Sequence, residues 1–365
     1  MFVTLDDVCE KGSSNLAQKD ILDLDGDFPI FGAAGYIGNV NFYHQEKPYL
    51  AVVKDGAGVG RVMLLPAKSS VIGTMQYIIP KEDIIVEYLY YAVKAMHLEK
   101  YYMGAAIPHI YFKDYKKEKL KIRSKIKQEQ IVARLDIIEK IINQQKQQLK
   151  NLEKLTKARF VEMFGDPVIN SMGWDETTVG DECFYIKDGP HKSLTDIGKE
   201  NGGHPFISVR NIVNGCIDLS TARYISDDDY AEAIKKCHPE KGDILYSKGG
   251  TTGIAKLVDI DEKFANWVHV AVLKFDKTKL NGVFLENMLN GAYCYEQSQR
   301  LTKGIANRDL VLSAIAKIKL YRPPIDLQEK FADFVRQVYK SKAVIEKSLR
   351  ELETLQASLM QKYFS

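Results

Sequence analysis

Two glycine-rich stretches, KDGAGVG (54–60) and SKGGTTG (247–253), have the composition of a phosphate cradle, each with a lysine, Lys54 and Lys248. Arg61 follows the first. A nucleotide-binding loop needs a Gly-Lys-Ser/Thr ending and a helix behind it, whose free amides hold the phosphate. Neither stretch has that ending, and both run into apolar, strand-like segments. They read as turns between strands, or as glycines that let backbone come close to a partner such as DNA phosphate. Other chemistry has less support. The seven histidines are dispersed, without HxxxH or HExxH metal spacing, and no GxSxG nucleophile elbow occurs. Methyl transfer to DNA amino groups would call for Asn/Asp-Pro-Pro-aromatic, whereas the Pro-Pro here lies in Arg322-Pro323-Pro324-Ile325. A nuclease-like trio can be picked by chance from 48 acidic residues, so it carries no weight.

Positive charge is patterned. Lys113 and Lys116 belong to FKDYKKEKLKIRSKIK (112–127), where bases stand beside aromatic residues. This is either a solvated face or a phosphate-contacting one, since lysine and arginine bind nucleic acid by releasing counterions. Lys187, His191 and Lys192 in IKDGPHKS, and Arg210 and Asn211 in SVRNI, lie near turns and could reach base edges. Arginine suits guanine and asparagine suits adenine. His109 in GAAIPHI and Arg308 in GIANRDL are expected at equivalent sites of two repeats.

The elements that would position these residues are written twice. Ile131, Leu135, Ile138, Ile142, Leu149 and Leu152 follow the 4,3 spacing of a heptad seam, as do Phe331, Val335, Val338, Ile345, Leu349 and Leu352. The spacing predicts long helices over 131–164 and 331–364. Each seam has one polar interruption, Gln145 or Lys342, which could fix the register of a helix pair or lie in solvent. Upstream, EKLKIRSKIKQEQ (118–130) resembles AKIKLYRPPIDLQEK (316–330), with two extra residues in the second copy. Each reads as a half-buried strand, a break and a helix starting at Gln-Glu. AVVKDGAGVGRVMLL (51–65) matches ILYSKGGTTGIAKLV (244–258), and VTLDDVC (3–9) resembles TTVGDEC (177–183). Short apolar runs such as PYLAVV, MQYIIP and DILYSK predict strands. VEYLYYAVKAMHLEKYY (86–102) and FLENMLNGAYCYEQSQRL (284–301) predict helices. The expected order is an α+β unit at 1–123, a helix at 124–165, a second α+β unit at 166–322 and a helix at 323–365.

The totals set outer bounds. At 365 residues there is room for two or three domains, and 45% apolar with 27% charged residues is ordinary for a soluble protein. A net charge of +3 permits an anionic partner without demanding one. The five cysteines are scattered, never CxxC, and MFVTLDDVCEKG is not a signal peptide. A soluble cytoplasmic protein is expected.

With these residues in view, the chain resembles the specificity (S) subunits of type I restriction-modification systems over essentially its whole length. The helix end and restart KARFVEMFGDPVINSMGWDETTVGDEC (157–183) is similar to their central junction. The turns GAAIPHI and KGIANRDL, each followed by a strand and a Gln-Glu helix start, are similar to the end of their target recognition domains. FGAAGYIG and PFISVRNIVNGCI look like two subtypes of that domain. The resemblance implies two target recognition domains separated by a pair of long antiparallel coiled-coil helices, a pseudo-twofold repeat, each domain reading half of a split double-stranded DNA target. It implies two modification (methyltransferase) subunits, one per repeat, and restriction subunits beside them. S-adenosylmethionine, ATP and magnesium would belong to those partners, with no cofactor on this chain. Other bipartite methylation systems and a coiled-coil scaffold without DNA remain as alternatives.

Overall fold

The computed structural model describes all residues except 22–24, 57, 105–107, 214, 305–306 and 365. The middles of GAAIPHI and GIANRDL thus lie outside the described residues. Contacts divide the chain into two units, Met1–Gln148 with Ile345–Ser365, and Leu149–Val344.

The first unit opens with β1 (Phe2–Thr4), α1 (Leu5–Val8) and β2 (Cys9–Ser13). β3 (Phe28–Gly32), β4 (Gly35–Val40), β5 (Tyr49–Val53), β6 (Val62–Leu65), β7 (Ser70–Val71) and β8 (Met75–Pro80) follow. Then come α2 (Val86–Lys94), α3 (Phe112–Tyr115), β9 (Lys119–Lys121) and the 40-residue α4 (Lys125–Phe164), whose residues from Leu149 on belong to the second unit. The second unit repeats the plan. Its first strands and helices are β10 (Glu176–Thr178), α5 (Val179–Glu182), β11 (Cys183–Asp188), β12 (His204–Ile207), β13 (Arg223–Ile225) and α6 (Asp227–Lys236). β14 (Ile244–Ser247), β15 (Ala255–Leu257), β16 (Ala265–Asn266) and β17 (Val270–Phe275) complete its sheets. α7 (Gly282–Asn290), α8 (Ala292–Leu301), α9 (Leu312–Ile315), β18 (Lys319–Tyr321) and the 40-residue α10 (Ile325–Phe364) follow, and the residues of α10 from Ile345 on belong to the first unit.

Sheet order shows the repetition directly. β2-β8-β5-β6 is matched by β11-β17-β14-β15, β4-β3-β7 by β13-β12-β16, and β1-β9 by β10-β18. β5 and β14 are buried along their whole length, which is why they read as unbroken apolar runs. The restart motif also recurs atom for atom: Thr4 Oγ1 donates to Asp7 and Thr178 Oγ1 to Asp181, each at 2.6 Å.

Several local expectations need correction. β9 and β18, like α4 and α10, are offset by 200 residues, so the second copy has no extra residues. Both long helices begin three residues before the expected Gln-Glu start. Residues 86–102 are not one helix, because His97 adopts a left-handed φ of 51° and ends α2's run. Residues 284–301 split between α7 and α8, with Gly291 extended between them.

Gln128 and Gln328 do the same work in the two units. Each is fully buried. Gln128 Oε1 accepts from the Ile85 amide (2.9 Å) while its Nε2 donates to the Asp83 and Arg123 carbonyls (3.3 and 3.0 Å). Gln328 accepts from Asn281 (2.9 Å) and donates to Lys279 and Pro323 (3.2 and 2.7 Å). A glutamine at this point satisfies three backbone groups between a strand end, a helix start and a long helix. Gln328→Ala should cost about 2–3 kcal/mol, since the orphaned amide and carbonyls stay buried. Chemical unfolding checks this, and a loss near zero would mean water replaces the side chain.

The helices pair antiparallel within each unit. In the first, Arg134 Nη1 donates to Tyr363 Oη (3.2 Å), Gln145 Nε2 to Ser348 Oγ (2.8 Å), and Lys146 pairs with Glu353 (2.8 Å). In the second, Glu153 pairs with Lys342 (3.2 Å) and Phe160 packs edge-on against Phe331 (5.4 Å). Both polar interruptions of the seams therefore find a cross-helix partner.

Candidate nucleic-acid interface

In the first unit the register aligns Ser13 with Gln76, Val53 with Met75 and Val52 with Val62. The ends of β2 and β5 and the starts of β8 and β6 therefore share one sheet edge. Loop 54–61 leaves from that edge and is laced to 103–110: Gly56 N donates to Pro108 O and Ile110 N to Lys54 O, both at 2.9 Å. Arg61 Nη1 reaches the β3–β4 turn at Ala33 O (3.1 Å). The glycines serve this loop. Gly60 has φ +86°, and a Cβ there would meet the Glu99 amide at 2.6 Å.

The polar groups on this edge come with aromatic neighbours. His109 Nδ1 lies 3.3 Å from Asp55 Oδ1, and its ring meets Tyr111 at 3.9 Å. Lys113 Nζ sits 5.0 Å from the Tyr111 ring, and Tyr111 and Tyr36 are exposed. Half-buried Lys54 has no side-chain hydrogen bond or ion pair among the described residues. Lys116 turns to Asp6 (3.0 Å).

The second unit builds the same edge from different side chains. Asp188 faces Ala271, Ser247 faces Val270 and Tyr246 faces Ala255. Loop 248–254 is laced to 303–310 by Gly250 N to Arg308 O (3.1 Å) and Leu310 N to Lys248 O (2.7 Å). Gly249 is confined, because a Cβ would lie 2.0 Å from His269 Nδ1. This lacing makes Lys248 the counterpart of Lys54, and Asp309 the counterpart of His109, through matching bridges to Lys303 and Met103. The expected pairing of His109 with Arg308 is therefore off by one residue, and Arg308 corresponds to Pro108.

The side chains differ in availability. Lys187, beside the Tyr185 ring (5.1 Å), is exposed, as are His191 and Lys192, the last 3.9 Å from Asp229. Arg210 is exposed and donates to Thr221 O (2.7 Å). Asn211 is 1% exposed and committed to the fold: its Oδ1 accepts from Ser208 and its Nδ2 donates to Asp218 O and Thr221 Oγ1. It is not placed to read a base. Arg308 Nη2 is held by Thr252 Oγ1 (3.3 Å) and Gln299 Oε1. Lys248, with 7% of its side chain exposed, lies between Asp309 (3.1 Å) and Asp188 (3.5 Å), and Asp188 also takes Lys236 (2.9 Å). The buried thiols are poor nucleophiles: burial pushes Cys9, Cys183 and Cys294 up to about 12 and Cys237 to about 11.

The repeated plan is shared with known proteins. The family model of the type I restriction modification DNA specificity domain matches residues 1–154 and again 172–354. The chain belongs to this family. The MjaIX type I restriction enzyme specificity subunit of Methanocaldococcus jannaschii is 24% identical over 305 residues, 78% of this chain and 69% of the relative. The type I S subunit of M. genitalium shares the fold, with a TM-score of 0.65 at 17% identity, covering 100% of this chain and 96% of the other. A chain from a structure on complex assembly and conformational transition of the type I R-M system matches with a TM-score of 0.53 at 15% identity, covering 100% and 97%. No helix of the described residues is long and apolar enough to cross a membrane.

Within this specificity-domain fold, sequence inspection overlooked Asp188, Lys236, Asp309 and Gln299. Asp188 and Asp309 directly follow Lys187 and Arg308, whereas Lys236 and Gln299 adjoin no candidate residue. Their spacing along the chain, however, does not reveal that the sheet edge collects them.

Proposed function

We propose that the chain is the DNA-recognition subunit of a type I restriction-modification assembly, and that each unit reads one half of an asymmetric, two-part double-stranded target. The observation that carries this reading is one loop-laced sheet edge built twice with unlike side chains. A shared frame suits two docking events of one kind, and unlike side chains suit two different half-sites. Phosphate and base contacts are assigned to Lys54, Arg61, His109 and Lys113 in the first unit, and to Lys187, His191, Lys192, Arg210 and Arg308 in the second, with Lys116 at the margin. Phosphate contacts set orientation and base contacts set sequence. The helices act as spacer and as the docking site for two modification subunits, which restriction subunits join. The chain itself is non-catalytic: S-adenosylmethionine, ATP and magnesium are handled by those partners, in the cytoplasm where the DNA is.

Co-expression with a modification subunit and genome-wide mapping of methylated bases tests this. The expected result is one asymmetric motif with a fixed unread gap. Methylation without a two-part motif, or methyl transfer by the chain alone, overturns the reading.

A further inference from the structure

Lys54 and Lys248 occupy the same place in the two units. Each follows the last residue of the central buried strand, and each offers its carbonyl to the amide after the second loop, Ile110 at 2.9 Å and Leu310 at 2.7 Å. Sequence alone would give them one role, yet their surroundings oppose each other. In the first unit the side-chain tie between the loops is His109 to Asp55, and it leaves Lys54 outside. In the second the lysine is itself the tie: Lys248 spans Asp188 at the end of β11 and Asp309 in loop 303–310.

Charge bookkeeping follows from these contacts. Lys236 and Lys248 are matched by Asp188 and Asp309, so the cluster is neutral as a set. Freeing Lys248 for a phosphate would leave Asp309 without this cation and buried Asp188 with Lys236 alone, two carboxylates against one lysine beside the incoming anion. Desolvated carboxylates and phosphates at close range repel strongly. Lys54 has no such obligation among the described residues.

Resting on the DNA-recognition reading above, we infer that Lys54 contacts a DNA phosphate, while Lys248 touches no DNA and is a positioning residue that fixes the Arg308-bearing loop for the second half-site. The two units thus differ in how they bind as well as in what they read. At this one position the first unit contributes a counterion release, and the second a prearranged neutral brace.

The test uses the full chain assembled with its modification subunit, and a duplex bearing the mapped target. Dissociation constants are measured between 50 and 200 mM salt. K54Q is expected to lower the magnitude of the log–log salt slope by about 0.9, the loss of one phosphate contact. K248M is expected to leave that slope unchanged but to reduce discrimination against base changes in the second half-site about tenfold or more. Discrimination in the first half-site should be retained. D309A, which removes the tie while keeping Lys248 beside Asp188, guards against misfolding of K248M and should give the same one-sided loss. A slope drop of about 0.9 in K248M, an unchanged slope in K54Q, or equal loss of discrimination in both half-sites overturns the inference. Absence of sequence-dependent binding by the unmutated complex would instead overturn the DNA-recognition reading itself.

Discussion

Replacing Phe331 with alanine is expected to cost the second unit about 3–5 kcal/mol, the range for deleting a fully buried phenyl ring. Phe331 is 0% exposed at the start of α10. It meets Phe160 and Phe164 from the end of α4 edge-on, both at 5.4 Å, and Phe284 of α7 stacks on Phe160 at 5.7 Å. Four rings from three helices thus share one layer, in which aromatic pair geometry adds to area burial. The first unit fills the corresponding place more modestly. Phe364 meets Tyr88 at 5.1 Å, Ile131 stands where Phe331 stands in the other copy, and the Tyr88 hydroxyl donates to Lys121 O (2.6 Å). Calorimetry should therefore show the F331A transition of Leu149–Val344 shifted down with that of the first unit in place. Loss of both together would mean that the two melt as one.

What could be read in advance followed from how local each signal is. The heptad seams, the Thr-x-x-Asp restart and the strand before each long helix depend on neighbours a few residues away, so both copies were legible. The glycine stretches were correctly confined to turns, because no helix follows them. Three-dimensional pairing was not legible. Asn211 follows an arginine in a turn, as a base-reading residue would, yet the fold uses all of its polar atoms. Lys248 looked like Lys54 because the fate of a lysine is decided by which carboxylates the sheet edge gathers, and Asp188 and Asp309 arrive from distant strands and loops. The His109 offset had a simpler origin. Counting from Gly104 and Gly304 puts Asp309, not Arg308, opposite His109, as the bridges to Met103 and Lys303 do. The end of α2 escaped notice because a left-handed histidine leaves no mark on an otherwise helical run.

Deleting one heptad from each long helix, Gln145–Asn151 of α4 and Ile345–Glu351 of α10, is expected to abolish methylation at the original target. The cut preserves the seams, since Ile142 and Lys342 then precede Leu152 and Leu352 by three positions, the interval their own next seam residues had. It removes the Gln145–Ser348 and Lys146–Glu353 contacts but spares Glu153–Lys342 and Arg134–Tyr363, so the pair keeps two polar register marks. Seven residues shorten a helix by about 10 Å, the length of about three base pairs at 3.4 Å each. The same cut turns the helix by only about 20°, because seven residues are nearly two whole turns. Three base pairs of DNA turn by about 100° at 10–10.5 base pairs per turn. If the helices set the unread gap, no duplex can restore both distance and phase without twisting. The shortened protein should then mark a motif with a gap about three base pairs smaller, and do so weakly, since the mismatch must be absorbed by DNA deformation. Genome-wide mapping of methylated bases distinguishes the cases, and an unchanged gap at unchanged efficiency would show that the helices do not measure the target.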